Sequence, residues 1–316
     1  MSAIDSIQLP RTPRPSERHN LPPISLRFVI TGVARAITEA FNTRRLDLRE
    51  RAGAPIPGWS GMPEVSAIRQ LRSDGASPRQ IRFFLTFTAA LDRARDADRL
   101  WGRAADLFAL APWIFSPSEI SARRDEVPPL LRSAGVSQRH TKDSAGWIRI
   151  ATSLSDDESS PVAIALADGH GEASELLTAV QHRAADGRPT YPFLGGPKVR
   201  VMWVRLLVFP GAAHISGLAQ LPVAVDVQIR RVSERLGLAE TAGLPLDADV
   251  RQAIQDAWAS DIAAAGCVGP PELGSSAAAA DPAIWFFGKW GCTMCERSRR
   301  KMPIDAICAR CRFDIG

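Results

Sequence analysis

Four cysteines near the end of the chain, Cys292-x2-Cys295-x12-Cys308-x2-Cys311, constrain this sequence more than any other feature. Two CxxC pairs within twenty residues use four of the five cysteines present. Such knuckles can close on a single ion, and thiolates on short loops suit tetrahedral Zn²⁺ or an iron–sulfur cluster. Four reduced core thiols would fit poorly, because Glu296, Arg297, Arg299, Arg300, Lys301, Arg310 and Arg312 are interleaved with them. Cys267 stands outside both knuckles and reads as a buried thiol. Between Lys289 and Arg312 there are seven basic residues against two acids. A metal here would hold a basic surface in place, which points towards nucleic acid.

At 316 residues the chain is long enough for one large domain or two smaller ones. No stretch reaches eighteen uncharged apolar residues, so a membrane-spanning helix is not expected. The opening residues lack the apolar run of a secretory signal, which favours reduced cysteines and a cytoplasmic, nucleoid-associated protein. A net charge of +5 is compatible with a polyanionic partner. Of thirty-nine basic residues only four are lysine: Lys142, Lys198, Lys289 and Lys301. Where arginine is the default cation, a lysine invites a chemical explanation, because only a deprotonatable amine can attack carbon.

Residues 1–25, rich in proline and arginine, read as a flexible basic arm, and 26–63 as an N-terminal helix followed by a Pro/Gly linker. Helical patterns follow at Glu64–Ser73, Pro78–Leu91, Asp98–Leu110, Ser118–Ala134 (broken at Pro128-Pro129), Lys142–Leu154 and Ala173–Gln181. A turn then opens an apolar helix over Gly195–Leu207, and Asp226–Leu238 and Asp247–Ala264 continue the pattern. Ser275–Ala280 reads as a low-complexity spacer. Without strand pairs or repeats, the expectation is an all-α fold. One lobe would span 64–245, and C-terminal helices with the four-cysteine metal segment would span 246–316.

Three features carry chemistry in order. Leu194-Gly195-Gly196-Pro197-Lys198 is a glycine turn ahead of a helix. Val223-Ala224-Val225-Asp226 leads into Val227-Gln228-Ile229-Arg230-Arg231-Val232. Trp285-Phe286-Phe287-Gly288-Lys289-Trp290-Gly291-Cys292 leads into the cysteine cluster. In this order they resemble the helix–hairpin–helix DNA glycosylase superfamily, the endonuclease III and 8-oxoguanine glycosylase group. There a glycine hairpin carries a lysine, a V-D-x4-R-V run carries the catalytic aspartate, and a G-(K/R)-x2-C run opens an iron–sulfur loop. The resemblance spans residues 64–312, and Ile81–Phe108 and Leu130–Leu154 look like the family's barrel helices. It implies a two-lobed helical fold with a C-terminal metal knuckle.

The resemblance also implies a DNA N-glycosylase with AP-lyase activity. It would act as a monomer on double-stranded DNA carrying a damaged or modified base, in base-excision repair or against modified foreign DNA. Once a base is flipped out, Lys198 would attack the sugar C1′ and Asp226 would stabilise the sugar cation or activate the amine. Gly195, Gly196, Pro197 and Arg200 would meet a DNA phosphate through free backbone N–H groups and charge. Gln138, Arg139 and His140 are candidates for filling the gap left by the flipped base. On residue chemistry alone, Lys198 could merely bind phosphate and Asp226 merely cap a helix. The alternative is therefore a non-catalytic protein that clamps DNA with the hairpin and the knuckle. Trp101, Trp203 and Trp258 sit at core spacing, whereas Trp113 and Trp147 are candidates for a pocket.

The chain departs from the family pattern in three places, one being a lysine–aspartate spacing longer than in endonuclease III and nearer that of the archaeal 8-oxoguanine glycosylases. The hairpin reads L-G-G-P where the family has L-P-G-(I/V)-G. The family cluster, C-x6-C-x2-C-x5-C, would require cysteines at Arg299 and Met302, and Cys295 and Cys311 stand in for those two ligands. This favours Zn²⁺, with a 4Fe–4S cluster as the alternative.

Overall fold

The computed structural model describes residues 32–43, 58–93 and 95–292. The arm at 1–25 and the ligands Cys295, Cys308 and Cys311 lie outside the described residues. Within them the protein is mainly helical, and two apolar cores organise it.

Helix α1 (Val33–Asn42) buries Ile37 and Phe41 and belongs to the second core, far along the chain. The first core is built by α2 (Pro63–Ser73), α3 (Pro78–Leu91), α4 (Ala97–Leu110), α5 (Pro117–Ala122), α6 (Val127–Ser133), α7 (His140–Asp156), α8 (Pro161–Ala167), α9 (Ala173–Ala179) and α10 (Val199–Val208). The second adds α11 (Val227–Arg235), α12 (Ala248–Ala265) and α13 (Ala277–Phe286), which runs into a π-helical turn at Phe287–Cys292. Trp59 and Cys267 pack against both cores.

Local chemistry sets the helix starts. Ser77 and Gln80 form a reciprocal capping box ahead of Pro78, and Asp96 accepts the Arg99 N–H at 2.9 Å to start α4. Asp247 caps α12 in the same way. α3 is buried along nearly its whole length, and its Phe84 and Phe87 meet Phe115 and Trp147. Trp147, expected near a pocket, lies instead in this core. Its ring stacks on Phe87 with centroids 4.9 Å apart, and its Nε1 donates to the Ile114 carbonyl at 2.8 Å. Trp101, Trp203 and Trp258 are buried as their spacing suggested.

Several boundaries differ from the sequence reading. Pro128 and Pro129 open α6 instead of breaking a helix, because proline is tolerated in a first turn where no N–H acceptor is needed. Ser275–Ala280 is no spacer. Ala277–Ala280 form the first turn of α13, where small side chains let the helix sit buried between its neighbours at every position but Trp285. α8 went unread, since Pro161-Val-Ala-Ile-Ala-Leu-Ala is short and apolar all round. A short parallel pair, β1 (His170–Glu172) with β2 (His214–Ser216), was also unexpected. None of the described helices is long and apolar enough to cross a membrane.

Candidate active site

A cleft of about 1070 Å³ runs between the two cores. The first core contributes Asp92 and Arg95 from the α3–α4 connection, Phe193, Gly196, Pro197 and Lys198 from the approach to α10 (Gly195 does not line the cleft), and Arg205 from α10 itself. From the second come Asp226 and Val227 at the start of α11, Arg251 of α12, Asp281 and Trp285 of α13, and Lys289.

Lys198 directly precedes α10, and the sequence around it explains its placement. Gly195 packs so closely on the preceding chain that a Cβ there would lie 2.6 Å from the Val180 carbonyl oxygen. The left-handed residue of this turn is Phe193 (φ 70°), not one of the two glycines. Gly196 accepts the Arg200 N–H at 3.0 Å, so helical hydrogen bonding begins one turn ahead of α10. Arg200 sits within α10 and does not line the cleft; its Nε is buried without a hydrogen-bond partner among the described residues. The Lys198 side chain is 27% exposed, and its Nζ lies 4.0 Å from Asp92 Oδ2.

Asp226 is the N-cap of α11. Its Oδ1 accepts the N–H groups of Gln228 at 2.7 Å and Ile229 at 3.1 Å, so Oδ2 carries neither cap bond. Arg251 donates to the Val225 carbonyl, and burial pushes its guanidinium pKa down against the opposing pull of Asp226 and Asp247. Behind Asp226, Asp281 accepts the Ala224 N–H at 2.8 Å. Burial pushes the Asp281 carboxyl up; the Arg205 and Lys198 charges and the Ala224 N–H act the other way, and Asp226 adds to the rise.

Gln138, Arg139 and His140 form the entrance to α7. Buried Asp143 fixes them: its Oδ2 accepts the backbone N–H of Gln138 at 3.0 Å and of Arg139 at 2.9 Å. The three do not line the cleft, but the Arg139 guanidinium lies over the Phe193 ring at 4.9 Å, and Phe193 does. Trp113 is half-buried beneath Arg123 and away from the cleft. Cys267 is a partly buried thiol whose pKa burial raises, and its Sγ lies 3.4 Å from the Ser276 carbonyl. Cys292 closes the π-helical turn, partly buried, and is the one expected metal ligand among the described residues.

Sequence reading missed Asp92, Arg205, Glu64 and Asp281. Glu64 and Arg205 occupy ordinary helix positions and Asp92 the C-cap of α3, and none of the three carries a motif. Asp281 could have been suspected, since it is the single acid in the apolar run Ala277–Phe287. Searches against family models, curated proteins and solved structures gave no match to this chain.

Proposed function

We propose that the protein is a DNA N-glycosylase with AP-lyase activity, built on a glycosylase-like helix–hairpin–helix plan. One observation carries the reading: Lys198 and Asp226, singled out by separate motifs, line the same cleft, Lys198 on the side of the first core and Asp226 on that of the second. A flipped-out nucleotide would enter that cleft with C1′ facing Lys198 Nζ. The ammonium first gives up its proton, and Asp92 is the one carboxylate within 4.0 Å of it among the described residues. The free amine attacks C1′, the glycosidic C1′–N bond breaks with its electrons leaving on the base, and water supplies the proton the base takes up. Asp226 Oδ2, unused by the cap, offsets positive charge on the sugar as that bond breaks. Opening of the sugar ring breaks C1′–O4′, moves an amine proton to O4′ and leaves an iminium ion on Lys198; water then takes a C2′ proton and the 3′ phosphate departs with the electrons of the C3′–O bond.

The knuckle Cys292, Cys295, Cys308 and Cys311 would hold Zn²⁺, or a 4Fe–4S cluster, as a structural group presenting basic residues to the DNA backbone. No step of the reaction passes through it.

A second reading keeps the cleft but not the chemistry. Asp226 already has a structural task as a cap, so Lys198 could serve as a phosphate contact in a DNA clamp. Borohydride reduction of wild-type protein on abasic-site duplex separates the two. A covalent adduct that disappears in Lys198→Gln supports the glycosylase-lyase. DNA binding without any adduct from the wild type supports the clamp.

A further inference from the structure

Arg205 is an anomaly. Its side chain is only 4% exposed, yet it lines the cleft and two of its nitrogens, Nε and Nη1, have no hydrogen-bond partner among the described residues. Nη2 alone is satisfied, donating to Glu64 Oε1 at 3.0 Å. Asp281 Oδ2 stands 3.9 Å from Nε, too far for a hydrogen bond, while Asp281 Oδ1 is held by the Ala224 N–H. A buried guanidinium with unmade bonds costs free energy unless something completes it. Beside it, a buried carboxylate keeps one oxygen clear of its backbone bond. Arg205 and Asp281 thus set donors and an acceptor side by side in the cleft that also holds Lys198 and Asp226.

An occupant that completes this pair presents a hydrogen-bond acceptor next to a donor. We propose that Arg205 and Asp281 read the flipped base, and that the substrate class is a base with a lactam edge, a ring carbonyl beside a ring N–H. The carbonyl oxygen accepts from Arg205, and the ring N–H donates to Asp281 Oδ2. This rests on the glycosylase reading of the same cleft. Bases with no such edge leave the open Arg205 nitrogens and Asp281 Oδ2 unmatched, and a site built on buried polar groups rejects such analogues by about 10⁴-fold. Glu64, which also lines the cleft, holds the guanidinium in orientation through its 3.0 Å hydrogen bond from Nη2.

The test uses the full chain in single-turnover excision on duplexes that differ in one base. Uracil, hypoxanthine and 8-oxoguanine carry the lactam edge; 1,N6-ethenoadenine and 3-methyladenine do not. Borohydride trapping on abasic duplex, which needs no base, runs alongside and reports the underlying function separately. With trapping positive, excision of one or more lactam bases, with the other two bases spared, supports the assignment. Excision of ethenoadenine or methyladenine at comparable rates, or of no lactam base, overturns it. Asp281→Asn keeps an oxygen for Ala224 but turns a second donor towards Arg205 and the base. The ratio of lactam excision to abasic trapping should then fall at least tenfold. An unchanged ratio in this variant also overturns the assignment.

Discussion

Arg95 and Asp143 form a buried ion pair, Nη2 to Oδ2 at 3.3 Å, with side chains 4% and 0% exposed. Arg95 lines the cleft, while Asp143 fixes the backbone at Gln138 and Arg139. The pair therefore ties the cleft rim to the loop expected to enter DNA.

Asp143→Asn should cost about 3 kcal/mol, because it leaves the Arg95 charge buried without its partner. Burial pushes the Asp143 pKa up, but the N–H groups of Arg139 and Gln138 and the Arg139 and Arg95 charges outweigh it and hold it below the ordinary value. A depressed folded-state pKa gives stability that is fully present above the unfolded value and lost as pH falls towards the folded one. The difference in denaturation midpoint between wild type and variant should therefore be constant at neutral pH and shrink below about pH 4. A difference that widens in acid contradicts the assignment.

Asp226→Asn should lower single-turnover base excision by about 10²- to 10³-fold, the usual loss on removing a group that acts in the transition state, while abasic-site trapping, which breaks no glycosidic bond, changes little. Stability should hardly move, since asparagine caps a helix about as well as aspartate. Full activity in this variant reduces Asp226 to its cap.

Gly195→Ala should destabilise the fold by about 1–3 kcal/mol, as overpacking against backbone does. The new Cβ meets the Val180 carbonyl, which cannot swing aside as a flexible side chain would. Because Lys198 follows three residues later, trapping should fall too. Gly196→Ala is the control, with only the Phe193 carbonyl at an ordinary 3.8 Å, and it should be milder on both counts.

Substituting serine for any one of Cys292, Cys295, Cys308 or Cys311 should release the metal and weaken DNA binding, flattening its salt dependence. Cys267→Ser should leave metal content alone. Elemental analysis of purified protein settles the ion: one zinc per chain, or about four irons for the cluster. Metal-free protein with undiminished DNA affinity removes the site.

The helices around the cleft were legible because their signals are local. Ser77 with Gln80, Asp96, Asp226 and Asp247 each announce a start, and the 3.6-residue apolar period does the rest. Lys198 and Asp226 could be named from their motifs. What stayed hidden depends on tertiary placement. Nothing local distinguishes Arg205 from the other arginines until Glu64, 141 positions away, is found against it. Ala277–Ala280 looked like filler because alanine repeats are compositionally plain, although close packing is what makes small residues useful there. Trp147 was misplaced because an aromatic fits a pocket wall and a core equally well.

The second core takes α1 from one end of the chain and α11 to α13 from the other. A ribosome therefore releases every helix of the first core before the last strip of the second, Ala277–Phe287, exists. Domains fold as units, earliest first, during synthesis. Lys198 is consequently set in its turn while α1 still waits for its partners. Asp281 and Trp285 join the cleft only when α13 emerges, so until then the wall opposite Lys198 is incomplete.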